Sequence, residues 1–199
     1  MLGSITPLGE RARNANWLIT MALYIVSSAA AGYALGGGLA FLGHETIRLP
    51  VPGSARIGIV GLSLLFGLVV DIGVLGLKLP TVRRQVNDAW LHVFRRWVYA
   101  VGFGAQLGLG VITIVTTSAV YVVLLAEFLS GSVSAGATIG FVFGLTRSLM
   151  TLPAAYVRTP ERLMVMQTRM AALDSLSRRL LLALQAMVGS GAVVASVVR

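Results

Sequence analysis

Two charged side chains lie inside apolar runs of this chain of 199 residues, Asp71 and Arg147. A charge surrounded by hydrocarbon is costly, so such residues are usually paired or functional. Each follows the motif Phe-Gly-Leu, which begins at Phe66 before Asp71 and at Phe143, 77 positions later, before Arg147. This offset predicts a degenerate internal repeat whose two copies carry opposite charges, and any chemistry is expected around these two residues.

The positions of Asp71 and Arg147 along their helices predict that they pair. Asp71 precedes Lys78 by seven residues and Arg147 precedes Arg158 by eleven, which corresponds to depths of roughly 10 and 16 Å from the same end of the helices. A guanidinium bound to a carboxylate is the least costly arrangement for both charges. Three interpretations stay open: a buried pair that sets helix register, a protonatable carrier site at Asp71, and an anion site at Arg147.

A line of polar residues in the third apolar run offers further candidates. Gln106, Gly110, Thr113 and Thr117 are spaced i, i+4, i+7 and i+11, so they would share one face of a continuous helix. Together with the two charged residues, Gln106, Thr113 and Thr117 would line a substrate path. The alternative is that they form hydrogen bonds between helices without any transport.

The composition excludes most other chemistry. The chain has no cysteine, which removes thiol redox chemistry, disulfides and iron–sulfur ligation, and its two histidines lie far apart. Phosphate-binding loops, zinc protease motifs and Ser-His-Asp sets are absent from the sequence. We therefore expect no metal, no cofactor and no enzymatic activity, with a lipid-modifying enzyme as the weakest alternative.

The apolar content predicts an all-α membrane protein. With 56% hydrophobic and 12% charged residues, the chain falls in the polytopic membrane class. We expect a single membrane domain over residues 1–199 with about five transmembrane spans and two cytoplasmic amphipathic segments. The predicted spans are 17–42, 56–78, 98–129, 132–157 and 180–198, and the amphipathic segments are 80–97 and 159–179. A cleaved signal peptide is the less favoured interpretation of the first run.

The third run is too long for one simple crossing. As a continuous helix, residues 98–129 would measure nearly 50 Å against a hydrocarbon core of about 30 Å. Glycines followed by threonines within this run predict a break or a re-entrant segment there.

The distribution of basic residues predicts the orientation. Twelve of the 16 lysines and arginines fall in the amino-terminal, second and fourth connecting segments, which indicates a cytoplasmic amino terminus, an external carboxyl terminus and location in the bacterial inner membrane. The net charge of +9 is therefore attributed to topology and not to nucleic acid. The basic segment 80–97 is expected to lie on acidic headgroups or, alternatively, to dock a partner.

Small residues spaced four apart predict close helix packing. They include Gly32 and Gly36 in the first run, Gly67 in the second, and Gly136, Gly140 and Gly144 in the fourth.

The glycine-rich start of the third run and the repeat resemble small bacterial membrane proteins of the CcdA and DsbD transmembrane type. That resemblance implies a duplicated scaffold that passes reducing equivalents across the membrane through a cysteine in each repeat. This chain has no cysteine, so the resemblance supplies no redox residue, and at most the scaffold is shared.

Two functions remain at this stage. The first is movement of a small solute or ion, or support of a transporter that does so. The alternative is a non-catalytic structural or assembly subunit of a larger membrane complex. The expected partners are the lipid bilayer and either another membrane protein or a second copy of the chain.

Overall fold

The computed structural model describes residues 6–12, 16–47, 51–77, 79–80, 95–111 and 115–198. Every regular element in these ranges is a helix, so the predicted all-α fold is confirmed. In chain order the elements are α1 (Pro7–Ala12), α2 (Trp17–Thr46), α3 (Gly53–Ile72), α4 (Arg96–Leu109), α5 (Ala119–Leu129), α6 (Val133–Leu149), a 3₁₀-helix (Leu152–Tyr156) and α7 (Pro160–Val198).

Helix α2 is the centre of a first group of helices and packs against α4, α5 and α6. Glycines form the closest part of its contact with α6. A Cβ atom built on Gly32 would overlap the carbonyl oxygen of Gly140, and one built on Gly36 would overlap that of Gly136. A Cβ atom on Gly144 would likewise overlap the backbone of α2. The two backbones therefore touch directly, which only small residues permit.

The third apolar run forms a broken helix. Helix α4 ends at Leu109, and Gly110 follows with a positive φ of 71° that directs the chain out of the helix. Helix α5 resumes the helical path at Ala119. The break falls among the glycines and hydroxyl residues where the sequence predicts it.

Both halves of the broken helix run in the same direction beside α2. Gly104 of α4 lies against Tyr24 near the start of α2, and Phe128 of α5 lies against Gly43 near its end. Position along α2 therefore increases steadily from α4 to α5. The described parts of the run thus lie one after the other along α2, as an interrupted helix.

Helices α3 and α7 form a second, antiparallel layer. Gly58 lies beside Ser196 and Gly61 beside Ala192, whereas Leu65 packs on Gly189. The pairs descend along α7 as they ascend along α3, which gives the antiparallel direction. This layer joins the first group through α5, which packs against α3.

Helix α7 is continuous over 39 residues, a length of about 58 Å. The sequence predicts an amphipathic segment 159–179 followed by a separate span 180–198, but the structure has one helix across both. Neither proline nor glycine occurs between Glu161 and Val188, so nothing in the sequence interrupts the helix.

The remaining predicted boundaries differ from the structure by smaller amounts. The span 17–42 becomes α2, which continues to Thr46, and the span 56–78 becomes α3, which ends at Ile72 before Gly73 with a φ of 90°. The span 132–157 forms α6 and then a 3₁₀-helix that contains Pro153, a residue that disfavours continuation of the α-helix. Most of the predicted amphipathic segment 80–97 lies outside the described residues.

Within the residues that the structure describes, four helical stretches are long and apolar enough to cross a membrane: Trp17–Thr46, Gly53–Ile72, Val133–Tyr156 and Pro160–Val198. Helix α5 is also apolar but shorter. The predicted span 98–129 corresponds to the interrupted run of α4 and α5, and the number of crossings and the orientation stay predictions.

Candidate functional site

The carboxylate of Asp71 is held by donors from two other parts of the fold. Oδ2 accepts hydrogen bonds from the hydroxyl groups of Thr117 and Ser118, both at 2.8 Å, and from Nε2 of Gln185 at 3.1 Å. The backbone N–H of Ser118 donates to Oδ1 at 3.0 Å. We call these four residues the Asp71 clasp. Every group that contacts the carboxylate is a donor, which is the environment that an ionised carboxylate requires.

The Asp71 clasp supplies hydrogen-bond acceptors to backbone N–H groups at the beginning of α5. Ser118 is the residue before the first turn, yet its own side chain makes no capping hydrogen bond within α5. Asp71 supplies a carboxylate there instead, where free N–H groups and the helix dipole favour negative charge. Thr117 contributes a second cap, because its Oγ1 accepts from the N–H of Ala119 at 3.3 Å. A side chain from α3 thereby replaces a missing local cap.

Glycine residues bring α3 close enough for this contact. Asp71 lies in the last turn of α3, and Gly73 ends that helix directly afterwards. One turn before Asp71, a Cβ atom on Gly67 would overlap the hydroxyl of Ser118. The absence of a side chain at Gly67 is therefore what allows α5 to reach the carboxylate.

Helix α7 closes the site from the other side. Gln185 is 3% exposed, and its Nε2 also donates to Oγ of Ser118 at 3.2 Å. Nη2 of Arg178 donates to the backbone carbonyl oxygen of Asp71 at 2.9 Å, which places a positive charge at the carboxyl end of α3. The Asp71 clasp and Arg178 together tie α3, α5 and α7 to one another.

Arg147 lies at the other end of the helix break, so the structure does not place it beside Asp71 as the sequence predicted. Its guanidinium carbon is 5.3 Å from the ring centroid of Phe143, a cation–π distance. A Cβ atom built on Gly110 would lie 3.2 Å from Nη1 of Arg147. The arginine thus adjoins the carboxyl end of α4, where a positive charge is favourable.

The prediction compared the depths of the two residues along their helices and did not consider which helices pack against each other. Helix α3, which carries Asp71, packs on α7 and α5, whereas α6, which carries Arg147, packs mainly on α2. Each charge is located at one end of the broken helix, the anion at the start of α5 and the cation at the end of α4. The proposed repeat relation between α3 and α6 stays a prediction.

The predicted polar line does not form a continuous helical face. Its spacing requires one helix from Gln106 to Thr117, but α4 ends at Leu109. Gln106 is half-buried on α4, Thr117 belongs to the Asp71 clasp, and Thr113 lies outside the described residues. Of the described residues proposed for a substrate path, the structure brings Asp71 and Thr117 together.

Sequence inspection missed two buried acids. Glu127 of α5 is 1% exposed, and within the described residues its Oε2 has no hydrogen-bond partner. It lies at the glycine contact of α2 and α6, where a Cβ atom on Gly140 would be 3.2 Å from its Oε1. A lone acid in an apolar run, the same signal that drew attention to Asp71, would have identified it.

The second missed acid, Glu10, anchors the amino-terminal segment. Its carboxylate is fully buried and accepts hydrogen bonds from the hydroxyls of Thr20 at 2.9 Å and Tyr99 at 2.8 Å. Glu10 therefore connects α1 to both α2 and α4. The sequence signal was weak, because the residue lies in a polar segment where an acid is ordinary.

The arrangement fastens helices to one another. The hydroxyls of Thr117 and Ser118 and the amide of Gln185 all donate to the Asp71 carboxylate. Among the described residues, no three His, Cys, Asp or Glu side chains form a group that could hold a metal ion.

Comparison with known proteins identifies two proteins of similar sequence. No family model matches the chain, and no solved structure matches it. Methylamine utilization protein MauF from Methylophilus methylotrophus is 31% identical over 153 residues, which cover 74% of this chain and 52% of the relative. MauF from Paracoccus versutus is 32% identical over 155 residues, covering 73% and 53%. The chain is similar to MauF. It spans about half the length of these curated relatives.

This similarity corrects the resemblance drawn from the sequence. The CcdA and DsbD assignment is wrong, because the relatives that match over about three-quarters of the chain carry the MauF name. The assignment relied on a glycine-rich helix start and a few repeated positions. Such features follow from close helix packing in general and do not distinguish one membrane family from another.

Proposed function

We propose that this chain is a non-catalytic auxiliary membrane protein that supports the assembly or operation of a larger system for methylamine utilisation. The observation that carries the proposal is the similarity to two methylamine utilization proteins over about three-quarters of the chain. Because the chain spans about half of those relatives, the proposal concerns the helical region that they share.

The geometry of the Asp71 clasp supports an auxiliary role over transport. A carrier carboxylate must exchange its proton or ligand during each cycle, whereas both oxygens of Asp71 accept hydrogen bonds from Thr117, Ser118 and Gln185. Release would leave the backbone N–H of Ser118 at the start of α5 without its acceptor. The transport hypothesis rested on a polar face that the helix break removes, and the MauF similarity does not support it.

We further propose that the chain resides in the bacterial inner membrane as a multi-pass protein with a cytoplasmic amino terminus. The four long apolar helices are compatible with this location, and the concentration of arginines in alternate connecting segments favours this orientation. The broken run of α4 and α5 would supply the fifth crossing.

Growth of a deletion strain on methylamine tests the proposed function. Removing the gene should abolish growth with methylamine as the nitrogen source and leave growth on ammonium unchanged. Uptake of labelled methylamine, measured in the same cells over seconds, should equal that of the parent strain. The intact gene supplied in trans should restore growth.

Two outcomes would contradict the proposal. Normal growth on methylamine would remove the link to its utilisation, and a large fall in initial uptake would show that the chain is a transporter. A further measurement separates auxiliary from enzymatic action. The deletion strain should contain a methylamine-oxidising system that is reduced in amount or incompletely assembled, and the purified chain should not oxidise methylamine.

A further inference from the structure

A groove outside the Asp71 clasp lies between the 3₁₀-helix and the first half of α7. Its volume is about 680 Å³, within the range of small-molecule sites. Pro153 and Val157 form one wall, and Val165, Met166 and Leu173 form the other. These walls offer an apolar channel to an elongated hydrocarbon group.

Two arginines give the groove a positive charge. Arg162 and Arg169 both line it, and their spacing of seven residues places them on the same face of α7. Arg162 also donates to the backbone oxygen of Tyr156 at 3.4 Å, which directs its guanidinium across the groove. None of the described residues that line the groove is acidic, so an occupant must bring the negative charge.

The groove is located where apolar helix gives way to polar surface. Pro153 and Tyr156 lie at the carboxyl end of Val133–Tyr156, one of the four described stretches that are apolar enough to cross a membrane. Tyr156 stands at its edge and is 78% exposed, and tyrosine is enriched at the level of lipid headgroups. Hydrocarbon and phosphate are both available at that level.

From this combination we propose that the groove binds an anionic phospholipid, with an acyl chain against Val165, Met166 and Leu173 and the phosphate at Arg162 and Arg169. A second copy of the chain is a poor occupant, because each copy carries a net charge of +9 and like charges would meet at the arginines. The basic segment 80–97 is disfavoured for the same reason, since it contains Arg83, Arg84 and other arginines.

The test measures phospholipid binding to the purified full chain in neutral detergent. Phosphatidylglycerol should raise the thermal unfolding midpoint in a saturable way, and phosphatidylcholine should not. The double variant R162Q/R169Q should bind phosphatidylglycerol roughly 25-fold more weakly, because each basic residue near an anionic lipid surface contributes about 1 kcal/mol. The matched control R158Q/R179Q removes the same charge from exposed arginines that do not line the groove and should bind nearly as the parent does.

Each alternative has its own result. Equal weakening in the two double variants would show that general positive charge attracts the lipid, and would overturn the proposal. An equal midpoint shift with inorganic phosphate would show that the site takes a free anion. Native mass spectrometry gives an independent readout: the parent and the control should retain a bound phosphatidylglycerol, whereas R162Q/R169Q should not.

Discussion

At the level of single residues, Asp71 and Arg147 each lie at one end of the break between α4 and α5. A break within an apolar helix exposes carbonyl groups where α4 ends and N–H groups where α5 begins. Arg147 adjoins the first end, and Asp71 accepts from Ser118 at the second. The two charges therefore make an interrupted helix tolerable in apolar surroundings, and neither requires a substrate to explain its presence.

This role predicts the effect of Asp71→Asn. The amide would turn an NH2 group or a weaker acceptor toward the donors of Thr117, Ser118 and Gln185, and at least one hydrogen bond to a charged acceptor would be lost. We expect the free energy of unfolding to fall by about 2 kcal/mol. Denaturant titration in detergent micelles measures it.

The matched control for Asp71→Asn is Glu45→Gln. Glu45 is an exposed acid near the end of α2, so its neutralisation should change the unfolding free energy by less than about 0.5 kcal/mol. Equal stability of the Asp71 variant and the parent would show that the carboxylate is dispensable for α5. Asp71 would then again be a candidate for a site that exchanges a proton or a ligand.

At the level of elements, the glycine contact of α2 with α6 makes a sharp prediction. Gly36→Ala places a methyl group on the carbonyl of Gly136, whereas Gly38→Ala on the same helix meets nothing within 4 Å. Alanine favours a helix over glycine by up to about 1 kcal/mol. Gly38→Ala should therefore leave the thermal unfolding midpoint unchanged or raise it, and Gly36→Ala should lower it by several degrees. A similar midpoint for both variants would mean that the helices separate easily and that their contact contributes little.

Helix type and packing faces were accessible from the sequence because they depend on local regularities. Residue types at a four-residue spacing identify a smooth face such as Gly32 and Gly36, and a run of glycines followed by threonines identifies a break. Helix partners depend on which faces meet in three dimensions. Nothing near Asp71 in the sequence shows that Ser118 and Gln185 will be its neighbours.

The sequence also concealed the continuity of α7. Its charge pattern changes near Arg179, from an amphipathic half to a half without charged residues up to Val198, and such a change suggests two separate segments. Backbone geometry follows helix-breaking residues and not changes of polarity, so a stretch free of proline and glycine continues as one helix.

At the level of the whole molecule, the length of α7 exceeds what a bilayer can cover. Its 39 residues extend about 58 Å, nearly twice a hydrocarbon core of about 30 Å. The second half is the apolar part, so the first half should project out of the hydrocarbon core at the level of the headgroups and present side chains such as Met164, which is 71% exposed.

Cysteine labelling tests this projection, and the chain has no native cysteine to interfere. Met164→Cys should react with a membrane-impermeant maleimide in inverted membrane vesicles and stay unlabelled in right-side-out vesicles. Val194→Cys is the matched position on the apolar half, 61% exposed in the fold, and lipid should protect it in both preparations. Labelling of both positions would show that α7 lies outside the membrane along its whole length.

The Asp71 clasp can form only in stages during biosynthesis. Its residues are made in chain order: Asp71 first, Ser118 next and Gln185 after both. Until α7 has packed against α3, the carboxylate lacks the amide of Gln185 and the carbonyl of Asp71 lacks the guanidinium of Arg178. A chain interrupted before α7 would therefore leave both groups without their partners from that helix. Helix α7 thus supplies the final hydrogen bonds of the Asp71 clasp.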